Sequence, residues 1–113
     1  MLEKHDRIIL LKDFYGPLLT EKQQTVLNLY YENDWSLSEI GNYFNITRQG
    51  VFDLLKRAEK LLEDYEQRLK LVDKFDINYH QLKQVYILLN QEEVSSETIK
   101  QALKMLTQAM DMV

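Results

Sequence analysis

Apolar residues recur along this chain at three- and four-residue steps, the period of a helix buried along one face, and nowhere alternate as a half-buried strand requires. Ile8, Leu11, Phe14 and Tyr15 predict a first helix from about Leu2 to Tyr15, ended by Gly16-Pro17. Thr20-Glu21-Lys22-Gln23 has the form of a capping box, in which the threonine hydroxyl accepts from an early amide and the glutamine reaches back. It opens a second helix through about Glu32, with Val26, Leu27, Leu29 and Tyr30 as its apolar face. Asn33-Asp34-Trp35 interrupts, and Ser36-Leu37-Ser38-Glu39 forms a second box for a short helix to Phe44. Trp35, just before that cap, is placed to staple against Ile40. Asn45-Ile46 leaves room only for a tight turn.

From Thr47 to about Phe75, Val51, Leu54, Leu55, Ala58, Leu61, Leu62, Tyr65, Leu69 and Val72 keep the helical step without a proline, which predicts one long helix. Its second half carries a seam of Leu61, Leu62, Tyr65, Leu69, Val72 and Phe75 between charged flanks. That seam packs on the C-terminal helices. Two or three short helices leave part of a rod of ~40 Å uncovered, so a homodimer is expected as well. After Asp76-Ile77-Asn78 comes a helix with Leu82, Val85, Tyr86 and Leu89, and Ser95-Ser96 caps a last one with Ile99, Leu103, Leu106 and Met110. The expectation is an all-α chain: a helix-turn-helix bundle over residues 1–60, continuous with a long-helix extension and C-terminal helices packed on it over residues 61–113.

Composition narrows the classes. The 113 residues are 45% hydrophobic and 28% charged, which argues against disorder and against two domains. With no cysteine there is no disulfide, thiolate metal site or cysteine nucleophile, as fits a reducing cytoplasm. The apolar run Val85 to Leu89 falls far short of the ~20 residues of a membrane helix, and Glu3 and Asp6 do not suit a secretion signal. His5 and His80 stand apart, Glu63-Asp64 and Glu92-Glu93 read as solvated faces, and there is no glycine-rich phosphate loop or serine elbow. Catalysis, a metal, a cofactor and a small-molecule substrate are therefore not expected.

Ser36 to Arg57 has the layout of a helix-turn-helix, whose second helix enters the DNA major groove by its N-terminal residues. Projected at 100° per residue from Thr47, Val51, Leu54, Leu55 and Ala58 share an arc of about 100°. Arg48, Gln49, Phe52, Asp53, Lys56 and Arg57 take the opposite side. Arg48 and Gln49 can contact base edges in bidentate fashion, Lys56 and Arg57 suit phosphates, and Thr47 as N-cap turns a positive dipole end outward. Phe52 suits a thymine methyl or an RNA base, although packing against a neighbouring element is the commoner use of such a residue. The whole chain carries −4, yet residues 47–60 hold 4 basic and 2 acidic residues, the one net-positive block. Gly50, at a cost of about 1 kcal/mol in helix propensity, suggests close backbone approach or a tolerated weakness.

Leu19-Thr20-Glu21-Lys22-Gln23, Val26-Leu27, Ser36-Leu37-Ser38-Glu39-Ile40-Gly41 and Ile46-Thr47-Arg48-Gln49 resemble, in order and spacing, region 4 of bacterial sigma factors. Phe14-Tyr15-Gly16-Pro17-Leu18-Leu19-Thr20-Glu21-Lys22-Gln23, Ser36-Leu37-Ser38-Glu39-Ile40 and Thr47-Arg48-Gln49-Gly50-Val51-Phe52-Asp53 resemble more closely the YlxM family of helix-turn-helix proteins, over about Leu2 to Phe75. That resemblance implies a bacterial cytosolic protein, encoded in many genomes beside signal recognition particle genes and acting on that targeting pathway. It implies no particular ligand. The sigma-type pattern makes Arg48 and Gln49 base readers and Ser36 a phosphate contact. Gly50 and Phe52, however, stand where sigma-type recognition helices often carry basic residues, and Asp53 adds a negative charge.

Two functions follow as expectations. One is a DNA-binding regulator using Ser36, Thr47, Arg48, Gln49, Phe52, Lys56 and Arg57, dimerised through the seam. The other is a protein-interaction adaptor of the signal recognition particle machinery that contacts its partner through Phe52 and the C-terminal helices; binding to that particle's RNA is intermediate between them.

Overall fold

The computed structural model describes residues 3–112, so Leu2, with which the first helix was expected to begin, lies outside the described residues. Six α-helices and no strand occur among those residues. They form two compact units that meet between Lys70 and Leu71.

The first unit is a four-helix assembly. Helix α1 (Lys4–Tyr15) passes into a 3-10 turn at Gly16–Leu18, where Pro17 costs no hydrogen bond because an early amide has no partner within the helix. Helix α2 (Glu21–Leu27) opens on Thr20, and both halves of the capping box form: Gln23 N donates to Thr20 Oγ1 and Thr20 N to Gln23 Oε1. It continues as a π-helical turn, Asn28–Glu32, stopped at Asp34, whose φ is 56°. Helix α3 (Leu37–Phe44) begins with the Ser36 box, complete in both directions, and helix α4 (Arg48–Leu69) with a Thr47 cap. Ile8, Leu11, Tyr15, Val26, Leu27, Ile40, Val51, Leu55, Ala58 and Leu62 are buried together as its core, each at 3% exposure or less.

The long helix predicted to reach Phe75 ends earlier, at Leu69. Lys70 takes the left-handed conformation (φ 54°, ψ 31°) and its N–H donates to Glu66 O at 2.8 Å. A lysine there costs about 1–2 kcal/mol, and neither glycine nor proline marks the place. The reason is tertiary: α4 spends its buried stripe within the first unit, and the chain beyond Lys70 has its own partner.

The second unit is a hairpin of α5 (Leu71–Leu89) and α6 (Ser96–Asp111). Asp76-Ile77-Asn78, expected to precede a helix, lies inside α5, and Asn78 is used there as a tertiary donor: its Nδ2 reaches Ala109 O at 2.9 Å. Ser95 caps α6 as expected, accepting from Thr98 N at 3.1 Å.

Candidate nucleic-acid interface

The link between α3 and α4 is short because three local features close it. Asn45 adopts the left-handed conformation (φ 58°, ψ 47°), which asparagine tolerates better than most residues, and the Asn45 and Ile46 amides both turn back to Gly41 O. Thr47 then starts α4 by accepting from Gly50 N at 3.0 Å. Gly41 permits the close approach, since a Cβ there would lie 2.7 Å from the Ile46 carbonyl oxygen. Gly50 is less constrained, with its nearest neighbour the Thr47 hydroxyl at 3.2 Å from such a Cβ. Its close approach is to its own cap.

Helix α4 is two-faced, as the periodicity predicts. Val51, Leu55 and Ala58 are buried and Leu54 half-buried, whereas Arg48, Gln49, Phe52, Asp53, Lys56 and Arg57 are all exposed. Phe52 is 43% exposed, with the Lys56 ammonium 5.2 Å from its ring centre. Gln49 Nε2 donates to Asp53 Oδ1 at 3.0 Å, one turn along, so the acid holds the amide in place. The Ser36 and Thr47 hydroxyl oxygens accept from Glu39 N and Gly50 N, and each keeps its own O–H for an outside acceptor. Trp35 contacts Tyr43, edge-on with ring centres 5.8 Å apart.

Beneath this face sits a charge cluster that the sequence pattern did not single out. Glu59 is buried at 8% exposure, 3.1 Å from Lys4 Nζ on α1 and 3.8 Å from Lys56 Nζ on α4. Tyr31 is buried against it, and that burial, followed by the Glu59 charge and hydrogen bond, pushes the phenol up to about 12. Contact with the Lys4 ammonium lowers the Lys56 pKa, while Glu59 pulls it upward. Arg7 on α1 clasps Glu63 on α4 in bidentate fashion at 2.7 and 2.6 Å, a hydrogen bond that raises the arginine's pKa. The Tyr15 hydroxyl donates to Glu66. Helix α1 therefore fixes α4 from behind. The sequence signal was a set of acids bordering the apolar stripe of α4, which reads equally well as a solvated flank.

The six seam residues are not on one helix. Leu61, Leu62, Tyr65 and Leu69 belong to α4, and Val72 and Phe75 to α5. Leu62 is fully buried in the first unit and Tyr65 stacks obliquely near Tyr15, their ring centres 6.0 Å apart, whereas Leu69 and Phe75 are exposed. Among the described residues no group of three or more His, Asp or Glu could hold a metal ion, and no helix is long and apolar enough to cross a membrane.

Comparison with known proteins agrees with this geometry. Residues 2–106 match a family model described as "Putative helix-turn-helix protein, YlxM / p13 like". The chain is similar to a UPF0122 protein of Bacillus mycoides (strain KBAB4), 43% identical over 104 residues, which cover 92% of this chain and 94% of that one. UPF0122 proteins of Bacillus cereus (strain AH187) and Bacillus anthracis (strain A0248) are each 42% identical over the same shares. A helix-turn-helix closed at Gly41 and Asn45, in a chain matched over nearly its whole length, places it in the UPF0122 family of YlxM / p13-like helix-turn-helix proteins.

Proposed function

We propose that this protein is a cytoplasmic DNA-binding regulator without catalytic activity, acting on the signal recognition particle pathway as its family resemblance implies. The observation that carries the reading is the exposed face of α4, where Arg48, Gln49, Lys56 and Arg57 stand clear of the core on a helix braced by Glu59 and Glu63. Arg48 and Gln49 read base edges from the first turn. Lys56 and Arg57 meet phosphates, Ser36 and Thr47 offer hydroxyl donors to the backbone, and Phe52 supplies an apolar contact. Three cations against Asp53 is a modest footprint, so affinity is weak and the salt slope is shallow, about one per phosphate met.

The test is fluorescence anisotropy against genomic duplex fragments and against the signal recognition particle RNA, at about 50 and 200 mM salt. Arg48→Ala lowers discrimination between sequences, and Lys56→Ala weakens binding to all of them and flattens the salt slope by about one. Binding indifferent to both substitutions refutes the assignment of this face. Saturable binding to the RNA alone would transfer the same face to an RNA ligand. The adaptor reading gains ground if neither nucleic acid binds and Phe52→Ala releases a protein partner.

A further inference from the structure

The α5–α6 hairpin buries little of its own surface. Its buried apolar side chains are Val72, Val85, Ala102 and Ala109, all small, while many larger ones stay outside; Ile77 and Ile87 are exposed on other sides of α5, and six form a set: Leu82 44%, Tyr86 67%, Leu89 44%, Ile99 45%, Leu103 57% and Met110 72% exposed. Their placement is ordered. Projected at 100° per residue, Leu82, Tyr86 and Leu89 share an arc of about 60° that begins beside Val85, and Ile99, Leu103 and Met110 share about 40° beginning beside Ala102. The helices are antiparallel, as the Asn78 to Ala109 hydrogen bond and the short link show. Each stripe follows its helix's buried side in the same rotational sense, so an antiparallel pair brings both stripes to one side of the hairpin. No Asp, Glu, Lys or Arg falls inside either arc.

We infer that this side of the hairpin is a self-association surface, and that its occupant is the same hairpin of a second copy, giving a four-helix bundle across a two-fold axis. Area supports the size of the contact. With about 200 Å² for a fully uncovered aromatic side chain and about 150 Å² for an aliphatic one, the exposed fractions of these six leave roughly 500 Å² of apolar surface. That lies at the upper end of what monomers expose, and it supplies most of the ~800 Å² per partner of a standard interface once a polar rim is added. Chemistry supports the identity of the partner. A face without charge offers nothing to a nucleic acid, and two antiparallel helices with a small-residue contact lack the second layer that a helical core needs. A second hairpin supplies that layer with a matching stripe, the self-complementary condition of a two-fold contact. The pairing is independent of the reading of α4, and it would present two such helices per particle.

Sedimentation velocity from roughly 1 to 100 µM tests the pairing, alongside Tyr86→Glu combined with Leu103→Glu. Both residues are exposed in the single chain, so the variant keeps its helical circular dichroism. The wild type is expected at twice the 13.6 kDa chain mass and the variant at the chain mass, with dissociation tightened in the wild type by about 100-fold or more. A wild type that stays at the chain mass throughout, or a folded variant that still pairs, overturns the inference. The melting temperature gives an independent reading should the variant not fold: it rises with wild-type concentration if folding and pairing are linked, and a concentration-independent melt counts against pairing. Nucleic-acid binding by a monomeric variant bears on α4 alone, so failure of either reading is recognised separately.

Discussion

Gly41→Ala tests whether the helix-turn-helix is closed as described. The added Cβ would sit 2.7 Å from the Ile46 carbonyl oxygen, 3.6 Å from the Thr47 carbonyl carbon and 3.6 Å from Val51 Cγ2. The first is backbone that the Asn45 and Ile46 amides tie to Gly41 itself, so it cannot swing aside as a side-chain end would. Overpacking of this kind costs about 2 kcal/mol, and alanine returns about 1 kcal/mol of helix propensity, leaving a net loss of about 1 kcal/mol. For a unit of this size that lowers the melting temperature by about 4–8 °C. Urea unfolding followed by Trp35 emission reads the first unit directly, because that indole lies against Tyr43 on α3. Gly50→Ala is the control: its Cβ would meet the Thr47 hydroxyl at 3.2 Å and Ile46 Cδ1 at 3.6 Å, both side-chain atoms, so with the gain in helix propensity its midpoint should equal or exceed that of the wild type. A Gly41→Ala protein as stable as the wild type refutes the tight turn. Equal losses at both glycines would assign the effect to the substitution type and not to the turn.

Glu59→Gln should bring the Tyr31 phenol down from about 12 toward its ordinary value of 10, read by ultraviolet titration; an unchanged midpoint would mean burial alone sets it. Because the folded-state pKa of Tyr31 lies above the unfolded one, its contribution, on the order of 2 kcal/mol, is fully present below pH 10 and is lost as pH rises through 12, so alkaline urea midpoints should fall across that window. Thr47→Ala removes the Gly50 cap and should cost about 1 kcal/mol in urea, with Thr47→Ser restoring most of it; equal losses in both variants would show that the cap bond is not the source. Asp53→Ala frees the Gln49 amide and removes the one acid of the exposed α4 face, and should tighten DNA binding by about threefold or more at low salt; weaker binding would mean that Asp53 orients Gln49 productively.

Features governed by near neighbours in the chain were legible without the fold. The Thr20 and Ser36 boxes, the Thr47 and Ser95 caps and the turn at Asn45-Ile46 depend on residues within three or four positions, and each forms as expected. Helical periodicity likewise separated the buried Val51, Leu55 and Ala58 from the exposed Arg48, Gln49, Lys56 and Arg57, because a helix fixes which residues share a face before it meets anything. What lay beyond that range was decided by partners far away in sequence. The end of α4 at Lys70 carries no local stop signal and reflects two packing problems solved separately on either side of it. Asn78 reads as a helix breaker until Ala109 accepts its amide. Glu59 and Glu63 read as solvated acids until α1 brings Lys4 and Arg7 to them, and Gly41 is one more helical residue until Ile46 passes over it. Spacing along the chain sets the faces of the helices, but only the approach of distant residues determines which of those faces are satisfied.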